Sequence, residues 1–418
     1  MSAGRPLRAG LIGCGGVSRE HAAGVHQAPG VDLVALADIY QPNLDVAGAA
    51  YGVDRKYLDF REMITAETLD IVLVCTQADT HAPVVIEASR LGIKGILCEK
   101  PIGVSLEEAD RMIDACNERS VRLAINHQTR MIPSTVAASR AIASGVIGEL
   151  RGAWMLDKGG RPAGNSLMEL CTHMFDLLRI YAGVPTWVSG HMTVGPRAQD
   201  LSSASPQRDA TVADIAFSQD AWPTDRDCGL VIGDRASATF GFGPDAELGH
   251  SGFDAHLHSY FQPIKSASGR FWHPSIKLLG TEGVMFLGGT SNHVDVFVHH
   301  GPWAPPGALV EIVPTEADHR ICRSHKVERA PFHTSMVDEL VHAILEGREH
   351  RSSGIDGRWA LEMIMGMFES HRHGGARMPL PLQDRTHPLE RWLRETGTPM
   401  PEKPIVGSKP LSLERARS

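Results

Sequence analysis

The chain has 418 residues, 42% hydrophobic and 22% charged, with 41 Lys and Arg against 49 Asp and Glu for a net charge of −8. This is an ordinary globular composition, and without a Lys/Arg block it argues against nucleic acid as a main partner. No uncharged apolar run approaches the roughly 18 residues that would span a membrane, and no long apolar stretch near the N-terminus suggests a signal peptide. The seven cysteines are scattered with no C-x-x-C, so neither a disulfide framework nor a zinc ribbon is expected. The expected compartment is therefore the cytoplasm.

The first third alternates short apolar runs with amphipathic segments. Leu7–Gly13, Val31–Asp38, Asp70–Thr76, Gly95–Lys100 and Val121–Asn126 read as strands. Helical stretches at Val17–Ala28, Ala82–Leu91 and Leu106–Arg119 lie between them, the last with Ser105 as N-cap. Such alternation implies a parallel, doubly wound sheet. A helix follows over Ser134–Ser144. Strands are then expected at Glu149–Leu156, Ala210–Phe217, Gly229–Ile232, Ala236–Phe242, Ile276–Leu279, Val284–Leu287 and Val294–Val298, forming a large, mostly antiparallel sheet. Helices are expected at Leu167–Tyr181, Ser335–Leu345 and Trp359–His371. The fold class is thus α/β: a doubly wound parallel sheet over residues 1–128, then an α+β domain with an open sheet over 129–383. Residues 384–418 read as a C-terminal extension.

Gly13-Cys14-Gly15-Gly16-Val17-Ser18 closes the first strand and opens the first helix. Gly13 permits the tight turn, and Gly15 lets a pyrophosphate approach the backbone. The helix N-terminus adds free N–H groups, and Ser18 stands small at the third glycine position. Asp38 ends the second strand, where a carboxylate accepts ribose hydroxyls and repels a 2′-phosphate, so NAD is expected over NADP. Glu99-Lys100-Pro101 ends a buried strand at the carboxyl edge of the sheet, where a lysine can steady a substrate hydroxyl.

Together with Cys98, Asn126-His127-Gln128-Thr129-Arg130, Gly145–Leu150, Gly280–Gly283 and Ser370–Leu382, these motifs resemble the Gfo/Idh/MocA oxidoreductases over roughly residues 7–382. The resemblance implies a Rossmann domain, a nicotinamide cofactor, a sugar or polyol substrate, and a homodimer or homotetramer formed through the second-domain sheet. It gives Lys100 contacts to cofactor and substrate. It places Gly13, Gly15, Gly16, Val17, Ser18, Asp38, Thr76, Glu99 and Asn126 around the cofactor. His81 lies where the family's cofactor loop sits and reads either as a cofactor contact or as a helix cap or packing residue, and His127 at the domain crossover reads either as a substrate contact or as a surface loop histidine.

Glu169 and His173 lie four apart, on one face of a helix. On spacing alone this is an amphipathic helix with a polar stripe. By resemblance it is the family's active-site helix, with His173 as general base and Glu169 where Asp is commoner. The implied reaction is hydride transfer between a secondary alcohol of a sugar, inositol or related polyol and the nicotinamide. Two other readings stand beside it: glycoside cleavage through transient oxidation, and a non-catalytic NAD sensor. No metal is expected. The looser cluster of His250, His256 and His258 lacks a convincing carboxylate or thiol, and His299-His300 would point to opposite faces of a strand.

Overall fold

The computed structural model describes residues 5–157, 162–194, 197–198, 205–206, 229–260, 275–290, 293–300, 309–323 and 331–400. The expected strand at Ala210–Phe217 lies outside them.

The N-terminal domain holds β1 (Leu7–Ile12), α1 (Ser18–Gln27), β2 (Val31–Ala37), α2 (Gln41–Tyr51), β3 (Lys56–Tyr57) and α3 (Phe60–Glu67). It continues through β4 (Ile71–Val74), α4 (Ala78–Arg90), β5 (Gly95–Cys98), α5 (Leu106–Asn117) and β6 (Arg122–Ile125). The six strands run in the order β3-β2-β1-β4-β5-β6, and every pairing is parallel. All four residues of β4 and of β5 are buried, as strands covered on both faces require. The order reverses between β1 and β4, so the ligand crevice opens at their carboxyl ends.

Ser105 caps α5, as its sequence suggests, accepting from the Glu108 amide. Helix α4 starts four residues before its expected Ala82, with Pro83 inside the helix rather than in its first turn.

The second domain begins with α6 (Pro133–Ala143) and β7 (Leu150–Leu156). One helical turn (Ala163–Ser166), a π turn (Leu167–Cys171) and α7 (Thr172–Ala182) follow in unbroken succession. Then come β8 (Pro185–Val194), β9 (Arg235–Phe242), β10 (Phe253–Tyr260), β11 (Ser275–Gly280), β12 (Gly283–Thr290), β13 (His293–His300) and β14 (Leu309–Glu311). The chain closes with α8 (Pro331–Glu346), α9 (Gly354–Arg372), β15 (Met378–Pro379) and α10 (Pro388–Thr396). The sheet order is β14-β13-β12-β11-β7-β10-β9-β8-β15, with Arg197–Ala198 paired to β8. Only β7 with β10 pairs parallel among these strands, so the sheet is mixed and mostly antiparallel. Alternation sorts its faces: Ala153, Met155, Ile276 and Leu278 are buried, while Trp154 and Phe286 lie on the open face with Lys277 over both rings.

Two features add to the sequence reading. The late helices pack against the N-terminal domain. Met336, Val337, Leu340 and Val341 of α8 join the core formed by Ala22, Val25, Leu73 and Leu97. Helix α9 lies so close to β6 that a Cβ on Gly357 would meet Ile125 at 2.6 Å. The stretch expected to be an extension also carries structure, since α10 buries Leu389 and Leu393 and Arg391 bonds Glu369 of α9. Its short apolar stripe within a charged, proline-rich segment hides the helix from a periodicity reading.

Candidate functional site

At the nucleotide end, the main chain does most of the shaping. Gly13 has φ +90°, and a Cβ there would lie 2.9 Å from the Cys75 carbonyl and the Thr76 amide nitrogen. Only glycine allows the turn to pass that close to the end of β4. A Cβ on Gly15 would meet nothing within 4 Å. Gly16 is exposed at the tip, and Val17 precedes α1 without a side-chain cap.

The side chains around this turn hold it in place. The Ser18 hydroxyl donates to the Gly15 carbonyl at 2.6 Å and lies 2.9 Å from the Tyr51 hydroxyl, so its role here is to brace the turn from beneath. Asp38 accepts the Cys14 amide at 2.7 Å and the Tyr40 amide at 2.8 Å, which fixes its carboxylate on the rim. His81 is buried, its ring nitrogens 3.1 Å from the Thr76 carbonyl and 2.9 Å from the Pro101 carbonyl, joining the loops after β4 and β5. The Thr76 hydroxyl is buried with no hydrogen-bond partner. Open space over Gly15, an orphan hydroxyl, a rim carboxylate and an uncapped helix start fit a dinucleotide laid across the turn.

Around the expected positions of Glu169 and His173, a π turn shapes the chain. The expected helix starts at Ala163 and widens over Leu167–Cys171 before α7 begins. Glu169 and His173 therefore straddle a π–α junction rather than one regular α-helical face. A π turn shifts backbone bonding by one residue and recurs at functional sites. Into it reaches Lys100, whose Nζ donates to the Glu169 carbonyl at 2.9 Å. Lys100 is thereby joined to the helix that carries His173. Glu169 and His173 are both buried.

Behind His173 lies a network that the spacing of residues gives little hint of. The His127 ring meets the His173 ring edge to face, with centroids 5.3 Å apart. His127 Nδ1 is 3.5 Å from Asp176 Oδ1. Arg130 Nε donates to Asp176 Oδ2 at 2.6 Å, and its Nη2 reaches Asp356 at 2.9 Å. Arg179 reaches the same Asp356 at 3.1 Å. Burial alone would push the Asp176 carboxyl up, but the Arg130 guanidinium and His127 overcome it and hold it far below the usual carboxylate range. Asp176 stands one turn beyond His173, a hint within the sequence. Nothing in the sequence pairs Arg130 with Asp356.

Glu99 and Asn126 are both buried. The Asn126 amide donates to Glu99 Oε1 at 2.6 Å, and His21 Nε2 is 2.7 Å from the same oxygen. The other histidines have simpler surroundings. His250 packs edge-on against Phe253, and His256 lies 3.0 Å from the Thr239 hydroxyl. The six described cysteines are buried. Burial pushes Cys116 and Cys322 up to about 12, which suits packing rather than nucleophilic chemistry. Among the described residues, no helix is long and apolar enough to cross a membrane.

Comparison with known proteins bears on both ends. Residues 7–127 match the family described as "Oxidoreductase family, NAD-binding Rossmann fold". D-apiose dehydrogenase of Paraburkholderia graminis is 37% identical over 142 residues, 34% of this chain and 38% of that protein. Inositol 2-dehydrogenase of Rhizobium meliloti is 30% identical over 185 residues, 42% of this chain and 55% of that one. The chain thus spans 38% to 55% of the length of these curated relatives. Levoglucosan dehydrogenase, solved in complex with NADH and levoglucosan, superposes with a TM-score of 0.69 at 18% identity, covering 90% of this chain and 100% of that one. The WlbA dehydrogenase from Bordetella pertussis, solved with NADH and UDP-GlcNAcA, gives 0.64 at 21% identity over 91% of this chain and 100% of that one. At such identities these structures bear on the fold alone, and they extend the likeness through the second domain. Residues 7–127 are thus similar to the nucleotide-binding domain of the Gfo/Idh/MocA oxidoreductases.

Proposed function

We propose that the protein is an NAD-dependent dehydrogenase acting on a secondary alcohol of a sugar, inositol or related polyol. The observation that carries this reading is the bond from Lys100 Nζ to the Glu169 carbonyl. It sets the cation at the end of β5 against the helix that presents His173, at the mouth of a crevice fit for a dinucleotide.

The nicotinamide ring, when bound, supplies the hydride acceptor. The Gly13–Ser18 turn receives the pyrophosphate, and Asp38 accepts the adenosine ribose hydroxyls. His173 takes the proton from the substrate hydroxyl. Imidazole suits this role because its ordinary pKa of about 6.5 lies near neutral pH. Lys100 donates to the same oxygen as charge builds on it. Asp176, fixed by Arg130, holds His127 against His173, and His127 lines the substrate side. Thr76 and His81 shape the loops around the nicotinamide end. The open face around Trp154 and Phe286 is the surface through which copies assemble.

The test is absorbance of reduced nicotinamide with NAD and a panel of sugars and inositols. Net NADH formation supports the dehydrogenase reading. Cleavage of a glycoside without NADH supports transient oxidation instead, and NAD binding with neither outcome supports a sensor.

A further inference from the structure

Four side chains from four separate segments converge in the interior. They are His21 of α1, Glu99 after β5, Asn126 after β6 and His333 in the first turn of α8. His21 Nε2, Glu99 Oε1 and the ligating nitrogen of His333 all lie within 4.8 Å of one another. The Asn126 amide nitrogen is 2.6 Å from Glu99 Oε1, 3.1 Å from His333 Nε2 and 3.4 Å from His21 Nε2. His21 Nε2 and Glu99 Oε1 are 2.7 Å apart.

These spacings describe a shell. Four ligands at about 2.0–2.1 Å from a tetrahedral metal stand about 3.3 Å from each other. The four observed edges, 2.6, 2.7, 3.1 and 3.4 Å, come within a fraction of an ångström of that on average. The Asn126 amide stands within 3.4 Å of all three ligand atoms, as a fourth ligand would. Its oxygen, Oδ1, is buried with no hydrogen-bond partner. Amide oxygen and nitrogen exchange places by a half-turn of the side chain, and that half-turn directs the oxygen inward.

We propose that His21, Glu99, Asn126 and His333 form a four-coordinate site for a divalent transition metal of the zinc class. Two imidazoles, a carboxylate and an amide oxygen suit such an ion, which would balance the charge of the buried Glu99. With four protein ligands the shell has no open position, so the ion is structural. It ties α1 and the ends of β5 and β6 to α8, which arrives from the far end of the chain.

The test uses the full chain, stripped with a chelator and without nicotinamide or substrate. Titration with Zn²⁺ by calorimetry, and with Co²⁺ by visible absorption, should show one equivalent with the intense bands of four-coordinate cobalt. His21→Gln and His333→Gln should each weaken Co²⁺ binding about a hundredfold, while Asn126→Asp, adding a charge, should tighten it about tenfold. Zn²⁺ should raise the melting temperature of the wild-type chain in a concentration-dependent way and leave the double His variant unmoved. Circular dichroism of the metal-free variants separates lost ligation from lost folding. Wild-type protein that takes up no stoichiometric metal, or binding that survives both His substitutions, overturns the proposal and leaves a hydrogen-bonded cluster alone.

Discussion

The two ends of the crevice are built on different plans. At the nucleotide end the backbone makes the site: a glycine turn, a helix start, and one carboxylate fixed by two amides. At the reaction end side chains make it, carried in from segments far apart. Asp176 meets Arg130 from the domain crossover, and Arg130 in turn meets Asp356 at the start of α9, 226 residues on. A site built of backbone has little tolerance for added atoms but tolerates many sequences around it. A site built of packed charges reverses both properties.

The glycines give the sharpest way to break that comparison. Gly13→Val places a branched side chain against the Cys75 carbonyl at a backbone φ of +90°. It should abolish NAD binding and lower the melting temperature by many degrees. Gly15→Ala meets nothing within 4 Å, so it should fold with an unchanged melting temperature and lose NAD affinity only. Calorimetry with NAD beside thermal melts separates the two. If Gly15→Ala melts early, the turn is packed rather than open.

His173→Ala comes next in size. General acid–base catalysis contributes about 10²–10⁴-fold, and kcat should fall by that factor while the NAD dissociation constant stays put. Surviving turnover would move the base elsewhere, with His127 the first residue to examine.

These two tests also bear on how the sequence could be read. The glycine turn, Asp38 and the Glu99-Lys100-Pro101 strand end are legible because their work is local: a turn, a helix start and a strand end all lie within a few residues. The parallel sheet is legible for the same reason, through alternation of period and apolar strand runs. The packing of α8 on α1 is not, because an amphipathic helix does not declare which apolar surface will cover it. The π turn is equally hidden, since Leu167–Cys171 carries ordinary helix-forming residues. The links from His127 through Asp176 and Arg130 to Asp356 depend on three segments that only the tertiary fold brings together.

Asp176→Asn tests the packed-charge plan directly. Removing one partner of a buried ion pair costs about 3–5 kcal/mol. Arg130 keeps its bond to Asp356, so about 3 kcal/mol is expected here. The sign with pH follows from the depressed Asp176 carboxyl. Its contribution is fully present above the unfolded value of about 4, and is lost as pH falls from there through the folded value. Urea melts at neutral pH should therefore show the full gap between wild type and variant, and the gap should narrow progressively below about pH 4. A gap that stays constant with pH would mean that Asp176 contributes packing rather than charge.

Asp38→Asn should have the smallest effect and best define where backbone and side chain meet. The carboxylate accepts amides from Cys14 and Tyr40 through its two oxygens, so an asparagine can serve only one of them as acceptor. Its NH₂ must then face the other amide, losing one hydrogen bond to a charged acceptor, or about 1.5–3 kcal/mol before relaxation. Because the rim is partly open to water, solvent can satisfy the displaced amide, and the loss in stability should stay near the low end. The larger consequence is electrostatic. Without the negative charge the rim no longer repels a 2′-phosphate, so the ratio of NAD to NADP affinity should fall while the fold holds. Parallel titrations with the two nucleotides measure that ratio. An unchanged ratio would show that Asp38 acts only as a brace for the glycine turn, and that discrimination rests on backbone shape alone.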